Sequence, residues 1–284
     1  MDLTVTRETI RAMAAADAEE AADLLRRGDF GERLDFFQWA LTQPAIGPVV
    51  AEHEGRIVGT GVASAHGRAG WVGVIFVAPE RRGSGLGRRI TQAVIEDLEG
   101  RGCRTQILIA SPMGRPIYER EGFIVLDRQV RFAIDGLPPD DGPTDPRIRA
   151  FAPSDFDAVV ALDRWATGED RRVVLRALVT PESTLVAVDE VDRVRGYLAR
   201  TPWRGGALIA PDPHDALRLL ERRRRSTGIS GRAGAGVLAS NQAGRDRLRA
   251  AGWEEELGGV RMIRGEPIDW HPDGIFGQFN GALG

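Results

Sequence analysis

An α/β chain made of two tandem copies of one fold is the architecture this sequence predicts, and three observations predict it. Apolar runs of strand length alternate with amphipathic helical stretches through the first copy. One stretch, Asp135 to Pro146 (DGLPPDDGPTDP), has no apolar period, sets four prolines among acids, and reads as a linker. Short segments before it recur in order after it. Ile10-Arg11-Ala12-Met13 matches Ile148-Arg149-Ala150-Phe151, and Val50-Ala51 with Gly59 matches Val186-Ala187 with Gly196. Val77-Ala78-Pro79 matches Ile209-Ala210-Pro211. Ala110-Ser111, Gly114-Arg115 and Gly122-Phe123 match Ala239-Ser240, Gly244-Arg245 and Gly252-Trp253. The expected organisation is a first domain at 1–134, a linker at 135–147, a second domain at 148–265 and a tail at 266–284. Ile275, Phe276 and Phe279 make that tail too apolar to stay in solvent, so it should dock on the protein.

In the first copy a strand near Thr9 to Met13 precedes helices from Asp17 to Arg27 and from Glu32 to Leu41. A hairpin from Pro48 to Ala65 turns at His53-Glu54-Gly55, a polar site with the glycine such turns use. Trp71 to Val77 is the next strand. The helix from Leu86 to Glu99 buries Leu86, Ile90, Val94 and Leu98, which recur every four residues. Thr105 to Ala110 is a buried strand, Pro112 to Glu121 a helix, and Phe123 to Ile134 the last strand.

Composition removes several classes of function. At 284 residues, 42% hydrophobic and 28% charged, the chain is long enough for two ordinary domains. It has no apolar run of about 18 residues and no apolar leader, so no membrane partner is expected and the cytoplasm is the expected location. Single Cys103 excludes an internal disulfide, and His53, His66, His214 and His271 lack metal-ligand spacing, so no metal is expected. A net charge of -3 and a pI near 5.9 give no general attraction to nucleic acid. The run Arg222 to Arg225, without interleaved aromatics, reads as a solvated helix face.

The chemistry concentrates in Val77 to Arg89, VAPERRGSGLGRR. Gly83, Gly85 and Gly87 alternate just before a helix, where residues without Cβ let several N–H groups point at one anion and the helix adds its positive end. A triphosphate loop needs a lysine, and all 38 basic residues are arginine. The dinucleotide fingerprint needs a third glycine where Arg88 stands. What fits is R-x-x-G-x-G, Arg82-Gly83-Ser84-Gly85-Leu86-Gly87, followed from Ser111 by SPMGRPIYEREGF with Tyr118, Gly122 and Phe123.

Together these segments resemble the GNAT superfamily of N-acetyltransferases, over roughly Thr9 to Phe132, in its tandem form with an active first domain and a degenerate second one. The resemblance implies a mixed, largely antiparallel central sheet flanked by helices in each domain. It also implies acetyl-CoA as acyl donor, with no metal. The diphosphate falls to Arg82, Gly83, Ser84, Gly85, Leu86, Gly87 and Arg88, and the pantetheine arm to the backbone of Ile75, Phe76 and Val77. Ser111 is a further contact, and Tyr118 is the general acid that protonates the departing thiolate. The acceptor would be an amine of a small molecule or peptide, bound near Phe30 to Trp39, by a monomer or homodimer. A non-catalytic acetyl-CoA sensor is the alternative.

The general base is not legible. Val74, Ile75, Phe76 and Val77 are all apolar where many relatives have a glutamate; Glu52, His53, His66, Asp29 and the carboxylate of Gly284 are the candidates. Copy two serves as an internal control. It passes from Pro211 through Asp212-Pro213-His214-Asp215 into its helix without the glycines, and Leu248 stands where Tyr118 stands. One cofactor per chain is therefore expected.

Overall fold

The computed structural model describes residues 8–138, 145–203 and 205–284, so the middle of the expected linker lies outside the described residues. The chain forms two compact units. The first holds the described residues up to Ile124 with Ile263–Glu266 and Gly281–Gly284; the second holds those of Val125–Met262 with Pro267–Asn280.

The first unit runs β1 (Thr9–Ala12), α1 (Ala18–Arg27), α2 (Leu34–Ala40), β2 (Ile46–His53), β3 (Arg56–His66), β4 (Ala69–Val77), α3 (Leu86–Gly100), β5 (Thr105–Ala110) and α4 (Arg115–Arg120). The predicted elements are present, with ends shifted by up to three residues. Strands β1 to β4 pair antiparallel in chain order. The hairpin between β2 and β3 turns on two consecutive left-handed residues, Glu54 (φ 49°) and Gly55 (φ 75°), the two-residue turn whose twist matches the strands it joins. β5 is parallel to β4, which requires a crossover, and α3 supplies it. The expected stripe Leu86, Ile90, Val94 and Leu98 is buried, and Trp71, Phe36 and Phe37 fill much of the remaining core. Ile263–Glu266 lies beside the start of β5: Glu266 N–H donates to the Arg104 carbonyl (3.1 Å), and the Thr105 hydroxyl donates to the Glu266 carbonyl (2.7 Å).

The second unit contains β6 (Ile124–Asp135) from Val125 on, β7 (Ile148–Ala150), α5 (Phe156–Thr167), α6 (Arg172–Leu178), β8 (Thr184–Val188), β9 (Val194–Arg200), β10 (Gly206–Ile209), α7 (Pro213–Ser226), β11 (Arg232–Leu238), α8 (Gln242–Ala250), β12 (Glu254–Gly265) as far as Met262, and β13 (Ile275–Gly277). Its five-stranded sheet has the order β13-β10-β9-β8-β7, antiparallel throughout, and β6 pairs antiparallel with β11. Phe132, Leu198, Leu219, Val237, Trp253 and Phe276 share one core cluster.

The sequence repeat is a structural repeat down to strand register. Ile10 sits opposite Ala51 and Arg11 opposite Val50, just as Ile148 sits opposite Ala187 and Arg149 opposite Val186. Among the described residues no helix is long and apolar enough to cross a membrane.

Candidate functional site

The loop Ala78–Gly85 joins β4 to α3, and its conformation explains its spelling. Gly83 (φ 80°) and Gly85 (φ 81°) are both left-handed, a state costing an L side chain about 1–2 kcal/mol. The space where their Cβ atoms would stand is open within 4 Å, so the loop surrounds room rather than packed atoms. Gly85 is the residue before α3, leaving the N–H groups of Leu86, Gly87 and Arg88 without intrahelical acceptors; no acid occupies the first turn. Left-handed glycines, free donors and the positive helix end together fit a diphosphate.

Neighbouring side chains fix the loop. Ser84 Oγ donates to the Arg81 carbonyl (2.8 Å), and Arg82 Nε donates to the Val77 carbonyl (3.3 Å) with its guanidinium 5.8 Å from the Phe76 ring centre. Arg88 pairs with Glu121 (2.6 Å) and Arg89 with Glu8, so their charges are largely answered within the unit. The Leu86 side chain is buried, which leaves its backbone as the part facing the loop.

β4 and β5 are in register from Ala69 opposite Thr105 to Trp71 opposite Ile107, and β4 then continues to Val77. In its middle Val74 is left-handed (φ 50°), a strained state for a β-branched residue. The pairing with β3 shifts there between Thr60 and Val62, and the Thr60 hydroxyl donates to the Val74 carbonyl (2.9 Å). Beyond this bulge the side chains alternate between faces. Ile75 approaches Gly61, which packs on Ile90 of α3, whereas the Phe76 ring lies against Gly28 at the end of α1 and 5.6 Å from Phe30.

Tyr118 lies on α4, nearly buried, its ring edge-on to Phe123 at 6.0 Å. A Cβ on Gly114 would stand 3.5 Å from both the Tyr118 hydroxyl and Ser111 Oγ, so phenol and serine converge on one spot. Burial pushes the Tyr118 pKa up to about 12. Ser111 Oγ accepts from the Gly114 N–H (3.2 Å) and so helps to start α4.

The candidate bases scatter. Glu52 is taken by Arg11 (2.8 Å), and with His53 it sits opposite Ile57 and Arg56, at the end of the hairpin. His66 is opposite Ala69, several residues of about 3.3 Å each from the Val74 bulge. Asp29 is exposed, one residue after the Gly28 that touches Phe76. Gly284 lies against the Trp71 indole, and Ala282 covers Gly73. Phe36 and Phe37, expected near the acceptor, are core residues; Phe30 is the aromatic of that region that is exposed beside Phe76. The Val74 bulge and the contact of the tail with β4 escaped the sequence reading, since nothing in a valine's neighbourhood announces a left-handed backbone.

In the second unit Ala210–Asp212 alone separates β10 from α7. Asp212 caps that helix by accepting from the His214 N–H (2.8 Å), and Asp215 is buried in its first turn. Burial and then the neighbouring Asp212 push the Asp215 pKa up. Two carboxylates thus stand where the first unit offers free N–H groups.

Comparison with known proteins finds a GNAT match in both parts of the chain. Residues 12–123 match the profile of the Acetyltransferase (GNAT) family, and residues 159–277 match that of an Acetyltransferase (GNAT) domain. The uncharacterized N-acetyltransferase YitH of Bacillus subtilis (strain 168) is 28% identical over 162 residues, covering 55% of this chain and 56% of that protein. The chain therefore spans little more than half of that relative's length. A candidate acetyltransferase from Pyrococcus horikoshii superposes with a TM-score of 0.83 at 21% identity, over 100% of this chain and 98% of its own. A tandem GNAT protein from the clavulanic acid biosynthesis pathway superposes with a TM-score of 0.61 at 16% identity, over 93% of this chain and 100% of its own. At these identities the two structures show a shared fold.

Proposed function

Since this chain belongs to the GNAT family of acetyltransferases and carries two such domains in tandem, we propose that its first unit is an acetyl-CoA-dependent N-acetyltransferase. It would move an acetyl group from the CoA thioester to a primary amine of a small molecule or peptide by direct attack in a ternary complex. The observation that carries this reading is the pair of left-handed glycines, Gly83 and Gly85, opening onto unpaired N–H groups at the head of α3.

In this reading the backbone from Gly83 to Arg88 holds the diphosphate, and Arg82 adds a charge at its rim. The backbone of Ile75, Phe76 and Val77 takes the pantetheine arm as an added strand. When bound, acetyl-CoA supplies an activated carbonyl and a thiolate leaving group. Tyr118 holds the proton that this leaving group needs: with its pKa pushed up to about 12 the phenol stays neutral at pH 7, and burial that raises it raises a thiol beside it as well. An amine of pKa about 10 is about a thousandth neutral at pH 7, so supplying the free base costs about 4 kcal/mol. Val74 to Val77 carry no group to remove that proton, so in this reading water would pass it to a more distant group, for which Glu52, His53, His66, Asp29 and the Gly284 carboxylate are the candidates. The second unit lacks the glycine loop, so this reading has one acetyl-CoA per chain.

Acetyl-CoA should raise the melting temperature by binding the folded state, and the absence of a shift at millimolar ligand overturns the reading. A panel of amines scored by release of free CoA thiol then separates an enzyme from a sensor, because a sensor binds acetyl-CoA and releases no thiol with any amine.

A further inference from the structure

A cavity in the second unit is lined by none of the residues assigned above to acetyl transfer. α7 ends in Arg222-Arg223-Arg224-Arg225, expected to form a solvated face, and the four arginines diverge instead. Arg224 lies 3.8 Å from Glu221 and donates to the Asp135 carbonyl (2.7 Å). Arg222 and half-buried Arg223 join Arg200, from the end of β9, in lining a cavity of about 180 Å³. Among the described residues none of these three makes an ion pair. Glu182 is the acid among the lining residues.

The ordinary explanation for arginines at a helix C-terminus is the helix dipole, which asks for about half a charge. Arg223, Arg224 and Arg225 all lie in the last turn and exceed it, and Arg200 is not on the helix. Burial, and then repulsion from Arg200, push the Arg223 pKa down, as expected for cations held together without a counter-ion. The first unit shows the answered version: at the end of α3, Arg101 pairs with Asp97 (2.8 Å) and donates to the Pro44 carbonyl (2.9 Å).

We propose that this cavity binds a phosphoryl group, as free phosphate or as the phosphomonoester of a small molecule, through Arg200, Arg222 and Arg223. Three guanidiniums against Glu182 leave a surplus equal to the charge of a phosphomonoester dianion, and planar guanidiniums suit its oxygens. The lining hydroxyls of Ser183 and Ser226 already donate to the carbonyls of Leu178 and Arg223, both at 2.7 Å, so recognition falls to the arginines.

The test is calorimetric titration of the full chain with inorganic phosphate, and separately with glycerol 3-phosphate, at ionic strength held constant with chloride. Saturable binding is expected, weakened at least tenfold in Arg200→Gln/Arg223→Gln and retained in Gly85→Glu, whose glycine loop is blocked. Arg200→Gln alone, at an exposed residue, should weaken binding severalfold and keeps the test decisive if the double variant does not fold. Tighter binding of glycerol 3-phosphate than of phosphate would assign the site to phosphomonoesters, and the reverse to the free ion. Three results would overturn the proposal: no saturable binding of either probe, equal binding by wild type and Arg200→Gln, or loss of binding in Gly85→Glu.

Discussion

Arg11 grips Asp17 through two parallel hydrogen bonds, 2.6 and 3.0 Å, while its Nε reaches Glu52 at 3.0 Å. The second unit repeats the grip: Arg149 holds Asp155 at 2.7 and 3.0 Å, and Asp192 takes the place of Glu52 at 2.8 Å. Each aspartate also accepts an N–H three residues earlier, from Ala14 (2.7 Å) or Ala152 (2.8 Å), closing the turn into the first helix of its unit. The bond from Arg149 comes first among the causes that hold the Asp155 carboxyl below its ordinary range. A carboxyl lowered in the folded state stabilises above its unfolded pKa of about 3.9 and loses that contribution as pH falls through the folded value. Asp155→Asn should therefore lower the urea stability of the second unit by about 1–2 kcal/mol at pH 7, with the gap to wild type closing below about pH 4. A gap that stays constant from pH 7 to pH 3 would show that the charge of Asp155 contributes nothing.

Gly85 should tolerate a methyl far better than a carboxylate. Open space surrounds its missing Cβ, so Gly85→Ala should cost only the left-handed backbone, about 1–2 kcal/mol of stability. Gly85→Glu should in addition abolish the thermal shift with acetyl-CoA, because its charge lies among the donors of the loop. An undiminished shift in Gly85→Glu would move the diphosphate elsewhere.

What the sequence revealed and what it hid divide along local and long-range lines. The glycine loop, the hairpin turn and the stripe on α3 were legible because each follows from the residues within it: backbone freedom at Gly83 and Gly85, two polar turn positions, a four-residue apolar period. That the second copy repeats the first was legible because the same residues recur in the same order, whereas the shared register of β1 on β2 and of β7 on β8 came only with the structure. That Ile263–Glu266 lies beside β5 was not legible, since an apolar period tells which face a strand buries and is silent on its partner. The meeting of Arg200 with Arg222 and Arg223 was hidden for the same reason: β9 and the end of α7 are far apart in the chain. Phe36 and Phe37 misled by composition alone, being aromatic in a region expected to touch the acceptor and yet needed for the core.

Gly28 and Phe76 are matched in size. A methyl on Gly28 would overlap the Phe76 ring, while the backbone at Gly28 (φ -94°) would otherwise accept alanine. Gly28→Ala should thus destabilise the first unit by about 1–3 kcal/mol through overpacking. Because Phe76 lies in the stretch proposed to hold the pantetheine arm, it should also raise the KM for acetyl-CoA. Pairing it with Phe76→Leu should recover part of the stability, so that the double variant is less damaged than the sum of the two single ones. Simple additivity would show that the ring can move aside at no cost.

Tyr118 offers a sharper test through pH than through loss of activity alone. As general acid it must carry its proton, and burial that pushes its pKa up to about 12 keeps it protonated throughout the working range. The rate should therefore rise with pH as the acceptor amine, of pKa about 10, becomes neutral, and keep rising to about pH 10 with no falling limb from the phenol. Tyr118→Phe should leave the thermal shift with acetyl-CoA unchanged and lower kcat by about 10²–10⁴-fold. Its remaining activity should keep the same rising limb, because that limb belongs to the amine. A falling limb near pH 9 that disappears in Tyr118→Phe would mean that the phenol ionises far more easily than its burial allows. Full turnover in Tyr118→Phe would leave the thiolate to take its proton from water and reduce Tyr118 to a packing residue.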